Sequence, residues 1–177
     1  TGMRSEMLMK KEIETERLFL RPLTIEDAQD IFAWVGDPIV NRYMPYSVYH
    51  DVEQVKEYIA SIQEEANEFA FCLKGTGKVI GAGGISFVPE RNAYDLGYNF
   101  NRNYWGKGYA TEAAKALIRW AYDELGARDF SANHATANTA SGNVLKKCGF
   151  RFDHYGQYSR FDGSETFDAS FYIMHLD

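Results

Sequence analysis

Leu18 and Leu20 alternate with Arg17, Phe19 and Arg21, the period of a half-exposed strand, and Pro22 ends it because proline has no N–H for a ladder. Thr24-Ile25-Glu26-Asp27 has the form of a capping box, and Ala28, Ile31, Phe32 and Val35 then recur on one helical face. This predicts a first helix, broken by Gly36-Asp37-Pro38. An aromatic segment carrying Tyr43, Tyr46 and Tyr49 leads to a second amphipathic helix on Val52, Val55, Ile59 and Ile62.

Residues 69–73 and 79–88 read as two strands joined by the hairpin turn Lys74-Gly75-Thr76-Gly77. A further strand over residues 94–100 puts Tyr94, Leu96, Tyr98 and Phe100 on one face and Asp95, Gly97 and Asn99 on the other. Ala110, Ala113, Ala114, Leu117, Ile118, Ala121 and Leu125 trace one stripe of a long helix stopped by Gly126. Residues 130–136 return as a strand, and residues 138–147 form a short helix with Val144, Leu145 and Cys148 inward. Two last strands lie around residues 152–158 and 167–174. The order is βααβββαβαββ, an α/β (α+β) architecture. Its central strand, helix, strand unit implies one parallel pair inside a mostly antiparallel, mixed sheet.

The length of 177 residues suits a single domain over residues 13–177, preceded by a disordered or cloning-derived stretch over residues 1–12. A content of 45% hydrophobic and 15% aromatic residues excludes intrinsic disorder, and no apolar run approaches a membrane span. Thr1-Gly2-Met3-Arg4 does not open a signal peptide. Cys72 and Cys148 stand far apart in apolar patterns, as buried free thiols do, which favours a reducing cytoplasm. A net charge of −6 argues against a nucleic-acid surface and leaves a small or peptide amine as an easier partner.

Chemistry concentrates in Tyr104-Trp105-Gly106-Lys107-Gly108-Tyr109-Ala110-Thr111-Glu112, followed by Asn138-Thr139-Ala140-Ser141 and Lys147-Cys148-Gly149-Phe150. A glycine-punctuated loop that opens into a helix leaves backbone amides unpaired, and with the helix dipole they form an anion site that suits a pyrophosphate. Competing motifs fail. Lys74-Gly75-Thr76-Gly77-Lys78-Val79 lacks the earlier glycine and the following Ser or Thr of a P-loop. Gly81-Ala82-Gly83-Gly84-Ile85-Ser86 ends in Ser86 with no helix after it, so these glycines mark a bulge or a close approach by a ligand or another strand. His50, His134, His154 and His175 have no partner at metal-ligand spacing, so no metal is expected, and no Gly-x-Ser-x-Gly elbow supports a triad.

The loop, the Asn-x-x-Ser helix start and the Gly149-Phe150 pair together resemble the GNAT N-acetyltransferase superfamily, in particular its ribosomal-protein N-terminal acetyltransferase-like branch. Thr15-Glu16-Arg17-Leu18-Phe19-Leu20-Arg21-Pro22-Leu23 with Asp27 is similar to that branch's opening, and Asp95-Leu96-Gly97-Tyr98 to its strand before the loop. The superfamily motif runs Gln or Arg, two residues, Gly, one residue, Gly or Ala; Gly108 and Ala110 fit it, while Trp105 departs from the first place.

The resemblance implies a GNAT fold with a splayed parallel strand pair and acetyl-CoA in the gap as cosubstrate. The cofactor-binding set it implies is Phe100, Trp105, Gly106, Lys107, Gly108, Tyr109, Ala110, Thr111, Asn138 and Ser141. The acetyl group then passes directly to a primary amine, with an oxyanion donor at an irregularity of the strand near residues 98–100 and Ser141 as proton donor to the leaving thiolate. Asn133 stands where some relatives have a glutamate, which leaves Asp95, His134 or a water to take the ammonium proton. Asn138 also has a plain reading as a helix cap, and Asp95 as a surface carboxylate. His134 alternates in orientation with Asn133 and Ala135, so only one of the two sets should face the cleft. The aromatic segment is a candidate wall of the acceptor site.

An α-amine titrates near 7.7 to 8.0 against about 10.4 for lysine, so it needs the weaker base and becomes the favoured acceptor. The alternatives are a small-molecule amine acetyltransferase, acting on a polyamine, amino acid or antibiotic, and a non-catalytic acyl-CoA-binding module. A monomer or homodimer, without nucleic-acid or membrane contact, is the expected state.

Overall fold

A computed structural model describes residues 11–177, so the expectation for residues 1–10 lies outside the described residues. The strands are β1 (Ile13–Glu14), β2 (Leu18–Pro22), β3 (Glu68–Leu73), β4 (Val79–Val88), β5 (Ala93–Phe100), β6 (Asp129–Ala135), β7 (Arg151–Ser159) and β8 (Thr166–His175). The helices are α1 (Ala28–Val35), α2 (Val52–Ser61), α3 (Tyr109–Leu125) and α4 (Thr139–Lys147). All strands join one sheet in the order β1-β2-β3-β4-β5-β6-β8-β7. The two-residue β1 was not expected, being too short to show a period.

Every neighbouring pair is antiparallel except β5 and β6, which run parallel and pair only at Tyr94 with Phe130 and Asp95 with Ser131. Beyond that rung the two strands part. β5 stays in register with β4 to Phe100, and β6 with β8 to Ala135, so the sheet forks between residues 96–100 and 132–135. Alternate backbone N–H and C=O groups of each strand face the opening without a ladder partner across it. The irregularity expected near residues 98–100 is thus a lost neighbour on the β6 side; on the β4 side the ladder has no shift.

Helices cover both faces. α3 lays Ala113, Ala114, Leu117, Ile118 and Ala121 against Phe69, Phe71, Ile85, Leu96 and Phe100, and its alanines permit close approach to the sheet. Burying such a leucine or phenylalanine contributes about 1.5–3 kcal/mol, which makes this layer the main stabilising one. On the other face Ala28, Ile31, Trp34 and Val35 of α1 join Val55 and Ile59 of α2 over Ala70 and Cys72.

The turn into α1 is fastened by Asp27, whose carboxylate accepts from the Thr24 N–H at 2.8 Å and from both Arg21 Nη atoms at 2.9 and 2.7 Å. The glycines of β4 answer to close approach. A Cβ on Gly83 would lie 2.5 Å from the Gly97 carbonyl, and one on Gly81 would lie 2.6 Å from the Phe100 ring.

Candidate active site

The loop from β5 to α3 is shaped by its own polar contacts. Asn101 Oδ1 accepts from the Asn103 N–H at 3.0 Å, and Trp105 Nε1 donates to the Phe100 carbonyl at 3.0 Å. Gly106 and Gly108 then take left-handed φ values of 73° and 86°, which only glycine adopts without strain. The first helical N–H bond closing onto the loop runs from Glu112 to the Gly108 carbonyl at 3.1 Å, so the amides of Tyr109, Ala110 and Thr111 have no intrahelical acceptor. Nothing lies within 4 Å of a Cβ position on Gly106.

A negative charge sits on this first turn, and the structure neutralises it. Glu112 accepts from Arg17 Nε and from the Arg17 N–H, both at 2.8 Å, and from Thr15 Oγ1 at 2.6 Å. Arg17 also donates to the Lys107 carbonyl at 2.9 Å and lies 4.2 Å from the Tyr109 ring centre. Burial pushes the Glu112 carboxyl up, but the Thr15 and Arg17 hydrogen bonds outweigh it and hold it below its ordinary value. The motif Thr15-Glu16-Arg17 therefore serves the loop, a link that separation along the chain conceals.

A cavity of about 410 Å³ lies against this loop, with Asn138, Ser141, Val144 and Lys147 on its opposite bank. Asn138 is the N-cap residue of α4, as the plain reading has it, but its side chain makes no cap bond. Both Asn138 and Ser141 also border a second cavity of about 360 Å³ that occupies the fork itself. Its lining includes the consecutive residues Ala132, Asn133, His134 and Ala135, because the cleft passes through the sheet. The His134 ring itself packs against Tyr172, with ring centres 5.4 Å apart.

A third cavity of about 300 Å³ lies on the α1 and α2 face. Trp34 Nε1 donates to Asn99 Oδ1 at 2.8 Å, and Asn99 Nδ2 donates to the Tyr46 hydroxyl at 2.5 Å. Tyr49 packs edge-on against Tyr46 and Tyr58 with ring centres 5.9 and 6.3 Å apart. The aromatic segment does form a wall here, and it is held by Arg160, which donates to the Met44 carbonyl at 3.0 Å and to the Arg42 carbonyl at 2.8 Å. Glu68 also lines this cavity, and burial pushes its carboxyl up to about 7. Sequence reasoning passed over Glu68 because one charged residue before an apolar strand reads as a boundary.

Tyr98 and Met44 border all three cavities. The Tyr98 hydroxyl is buried with no hydrogen-bond partner, an arrangement that costs about 1–3 kcal/mol unless a ligand or water satisfies it. Asp95 sits at the fork's base, where Oδ1 accepts from Ser131 Oγ at 2.8 Å and from Arg91 Nη1 at 2.6 Å. His134 is buried; its Nδ1 donates to the Ala135 carbonyl at 2.6 Å, and its Nε2 lies 3.4 Å from the Tyr172 hydroxyl. Among the described residues no group of His, Cys, Asp and Glu side chains could hold a metal ion, and no helix is long and apolar enough to cross a membrane.

Comparison with known proteins agrees with this geometry. Residues 17–151 match the family described as acetyltransferase (GNAT) domain. Over 143 residues the chain is 34% identical to the N-acetyltransferase p20 of Bacillus licheniformis, covering 77% of this chain and 80% of the relative. A GNAT-family acetyltransferase from Bacillus anthracis superposes with a TM-score of 0.83 at 26% identity, over 93% of this chain and 98% of that one. The ribosomal-protein-S5-alanine acetyltransferase of Vibrio fischeri superposes with a TM-score of 0.74 at 21% identity, over 95% and 98% of the two chains. The chain belongs to the GNAT family, and its activity is acetyl-CoA-dependent N-acetyl transfer.

Proposed function

We propose that this chain transfers the acetyl group of acetyl-CoA to the α-amine of a peptide or protein N-terminus at the fork between β5 and β6. The observation that carries the reading is that the loop cavity and the aromatic cavity meet at Met44, Tyr98 and Asn99 beside the fork. One can take the donor and the other the acceptor, with the reacting atoms meeting in the opening.

The donor side fits coenzyme A by shape and by donors. Gly106 and Gly108 offer a backbone surface free of Cβ atoms, and the amides of Tyr109, Ala110 and Thr111 suit a pyrophosphate. Phe100 and Trp105 close the loop end; Asn138 and Ser141 line the path inward, and the orphaned Tyr98 hydroxyl gains a partner when that path is filled. Acetyl-CoA supplies an acyl group activated as a thioester. Ser141, bordering both the loop cavity and the fork, donates a proton where the sulfur leaves.

The α-amine reading draws on Asn133, an amide where a lysine-directed site needs a strong base, and on the likeness to the ribosomal-protein-S5-alanine acetyltransferase of Vibrio fischeri. The aromatic cavity, at about 300 Å³, also suits a small free amine, and that is the second reading. A thiol-release screen with acetyl-CoA against peptide N-termini and small amines tests the choice. Turnover of peptides with free N-termini is the expected result, and turnover confined to polyamines, free amino acids or antibiotics replaces the first reading with the second.

A further inference from the structure

We propose that Glu68 takes the proton from the acceptor ammonium across a glycine track formed by Gly84 and Gly97. The proposal rests on the reading above that the acceptor enters through the aromatic cavity. Glu68 pairs with Gly84 across the β3/β4 ladder, and Gly84 pairs with Gly97 across the β4/β5 ladder, so the three share one rung. Directly paired residues of antiparallel strands point to the same face. All three line the aromatic cavity.

The two glycines keep the path open. A Cβ on Gly84 would sit 2.6 Å from Glu68 Oε1, so the carboxylate lies over Gly84 in the space a side chain would fill. A Cβ on Gly97 would meet nothing within 4 Å, leaving open floor beside the fork. Strands lie about 4.8 Å apart, and the Glu68 side chain covers the first of the two spacings to Gly97. The remaining gap suits the amine itself or one water.

No hydrogen bond or ion pair occupies the Glu68 carboxylate among the described residues. Facing it in the cavity are Trp34 of α1, Tyr46 and Tyr49 of the connecting segment, Tyr58 of α2, Ser86 of β4 and Asp95 of β5, with no cation. Lys11 and Glu64, on the adjoining surface hollow, are ion-paired with each other at 3.7 Å. Burial without a cation leaves this carboxyl titrating at about 7. The other two candidates are engaged: Asp95 holds Ser131 and Arg91, and His134 meets the Ala135 carbonyl through Nδ1 and the Tyr172 hydroxyl, at 3.4 Å, through Nε2.

The chemistry balances. Glu68 carboxylate accepts one proton from the ammonium, and the freed nitrogen attacks the thioester carbonyl carbon. The C–N bond forms, the C–S bond breaks with its electron pair going to sulfur, and the second nitrogen proton ends on the thiolate through Ser141. Glu68 then releases its proton to solvent. Transfer from an α-ammonium near 7.7–8.0 to a carboxyl near this value is uphill about tenfold, whereas transfer from a lysine ammonium near 10.4 is uphill by about 10³-fold or more. The α-amine thus has the smaller proton-transfer penalty of the two, in keeping with the acceptor proposed above.

The test uses Glu68→Gln and Glu68→Asp, with thiol release followed from pH 5.5 to 9.5 on whichever amine the wild type turns over best. That choice separates the acceptor's identity, settled by the wild type alone, from the role of Glu68. Expected are a fall in kcat of about 10²-fold for Glu68→Gln at pH 7, loss of the acidic limb near pH 7, and recovery above the acceptor's own titration. Glu68→Asp keeps the limb at a reduced rate, and acetyl-CoA affinity by calorimetry is unchanged in both. An unchanged kcat and pH profile in Glu68→Gln overturns the proposal, and so does a rise in acceptor KM alone at every pH. If Glu68→Gln does not fold, a Glu68→Asp profile without an acidic limb overturns it equally.

Discussion

Ser131 Oγ donates to Asp95 Oδ1 at 2.8 Å on the last rung that β5 and β6 share, pinning the fork at its base. Below this bond the strands pair, and above it they separate to make the space where donor and acceptor meet. Asp95 therefore positions the opening. Asp95→Asn keeps an acceptor for Ser131 and gives up the Arg91 pair, which is partly exposed and worth about 0–1 kcal/mol. The expected result is a kcat reduced by less than about tenfold, far short of the roughly 10²–10⁴-fold that loss of a proton acceptor brings. Steady-state kinetics with acetyl-CoA held saturating checks it.

Gly108→Ala should weaken coenzyme A binding by at least about tenfold, since at a φ of 86° its Cβ would stand 3.3 Å from Arg17 Nη2 and disturb the clamp that shapes the loop. The same backbone strain, about 1–2 kcal/mol, arises in Gly75→Ala, where φ is 93° and nothing lies within 4 Å of the Cβ. Gly75 is in the β3/β4 turn, away from the loop cavity. Calorimetry on both variants separates strain from ligand contact: comparable losses of Tm are expected, with affinity reduced only in Gly108→Ala.

Tyr98→Phe removes a buried hydroxyl that has no partner, so the free protein should keep or gain stability, by up to about 1–3 kcal/mol. With acetyl-CoA bound the same change should lower kcat/KM. A variant with raised Tm and reduced turnover is an uncommon combination, and thermal unfolding with and without acetyl-CoA reads both halves. Ser141→Ala provides the contrast, with lower kcat and little change in acetyl-CoA affinity.

The carboxylate of Asp27 governs acid stability. Burial pushes its titration up, but Arg21 and the Thr24 N–H outweigh that and hold it below the ordinary value. A carboxyl lowered in the folded state contributes stability that is present above its unfolded value near 3.9 and is lost as pH falls through the folded value. Unfolding midpoints should decline below about pH 4 in the wild type and decline less steeply in Asp27→Asn, where Glu112 still contributes. The variant itself should cost about 1–3 kcal/mol at pH 7, because the charge-assisted hydrogen bonds to Arg21 are lost while that partly exposed side chain stays solvated.

Much of this fold was legible in the residue pattern. The alternation in β2 and β5, the stripe of α3 and the turn at Lys74 each report a local period, and local periods survive without knowledge of neighbours. The loop at Gly106 and Gly108 was legible for the same reason, since its anion site is built from contiguous backbone. Glu68, Arg17 and the Trp34–Asn99–Tyr46 chain were not. Each gains its meaning from a partner that the sheet register or a helix start brings near: Glu68 from Gly84 and Gly97, Arg17 from Glu112, Trp34 from Asn99. Asn133 pointed to a missing base on β6, and only the rung across β3, β4 and β5 reveals a carboxylate arriving from the other side.

Acceptor choice tests the central claim most directly. Each member of a peptide panel is offered with acetyl-CoA in two forms, one with a free N-terminus and no lysine, the other N-terminally blocked and carrying one lysine, and the acetylated position is read by mass spectrometry. Acetylation of the free N-termini, with the blocked lysine peptides left unmodified at pH 7.5, is the predicted result. Preferential acetylation of the blocked lysine peptides would contradict it.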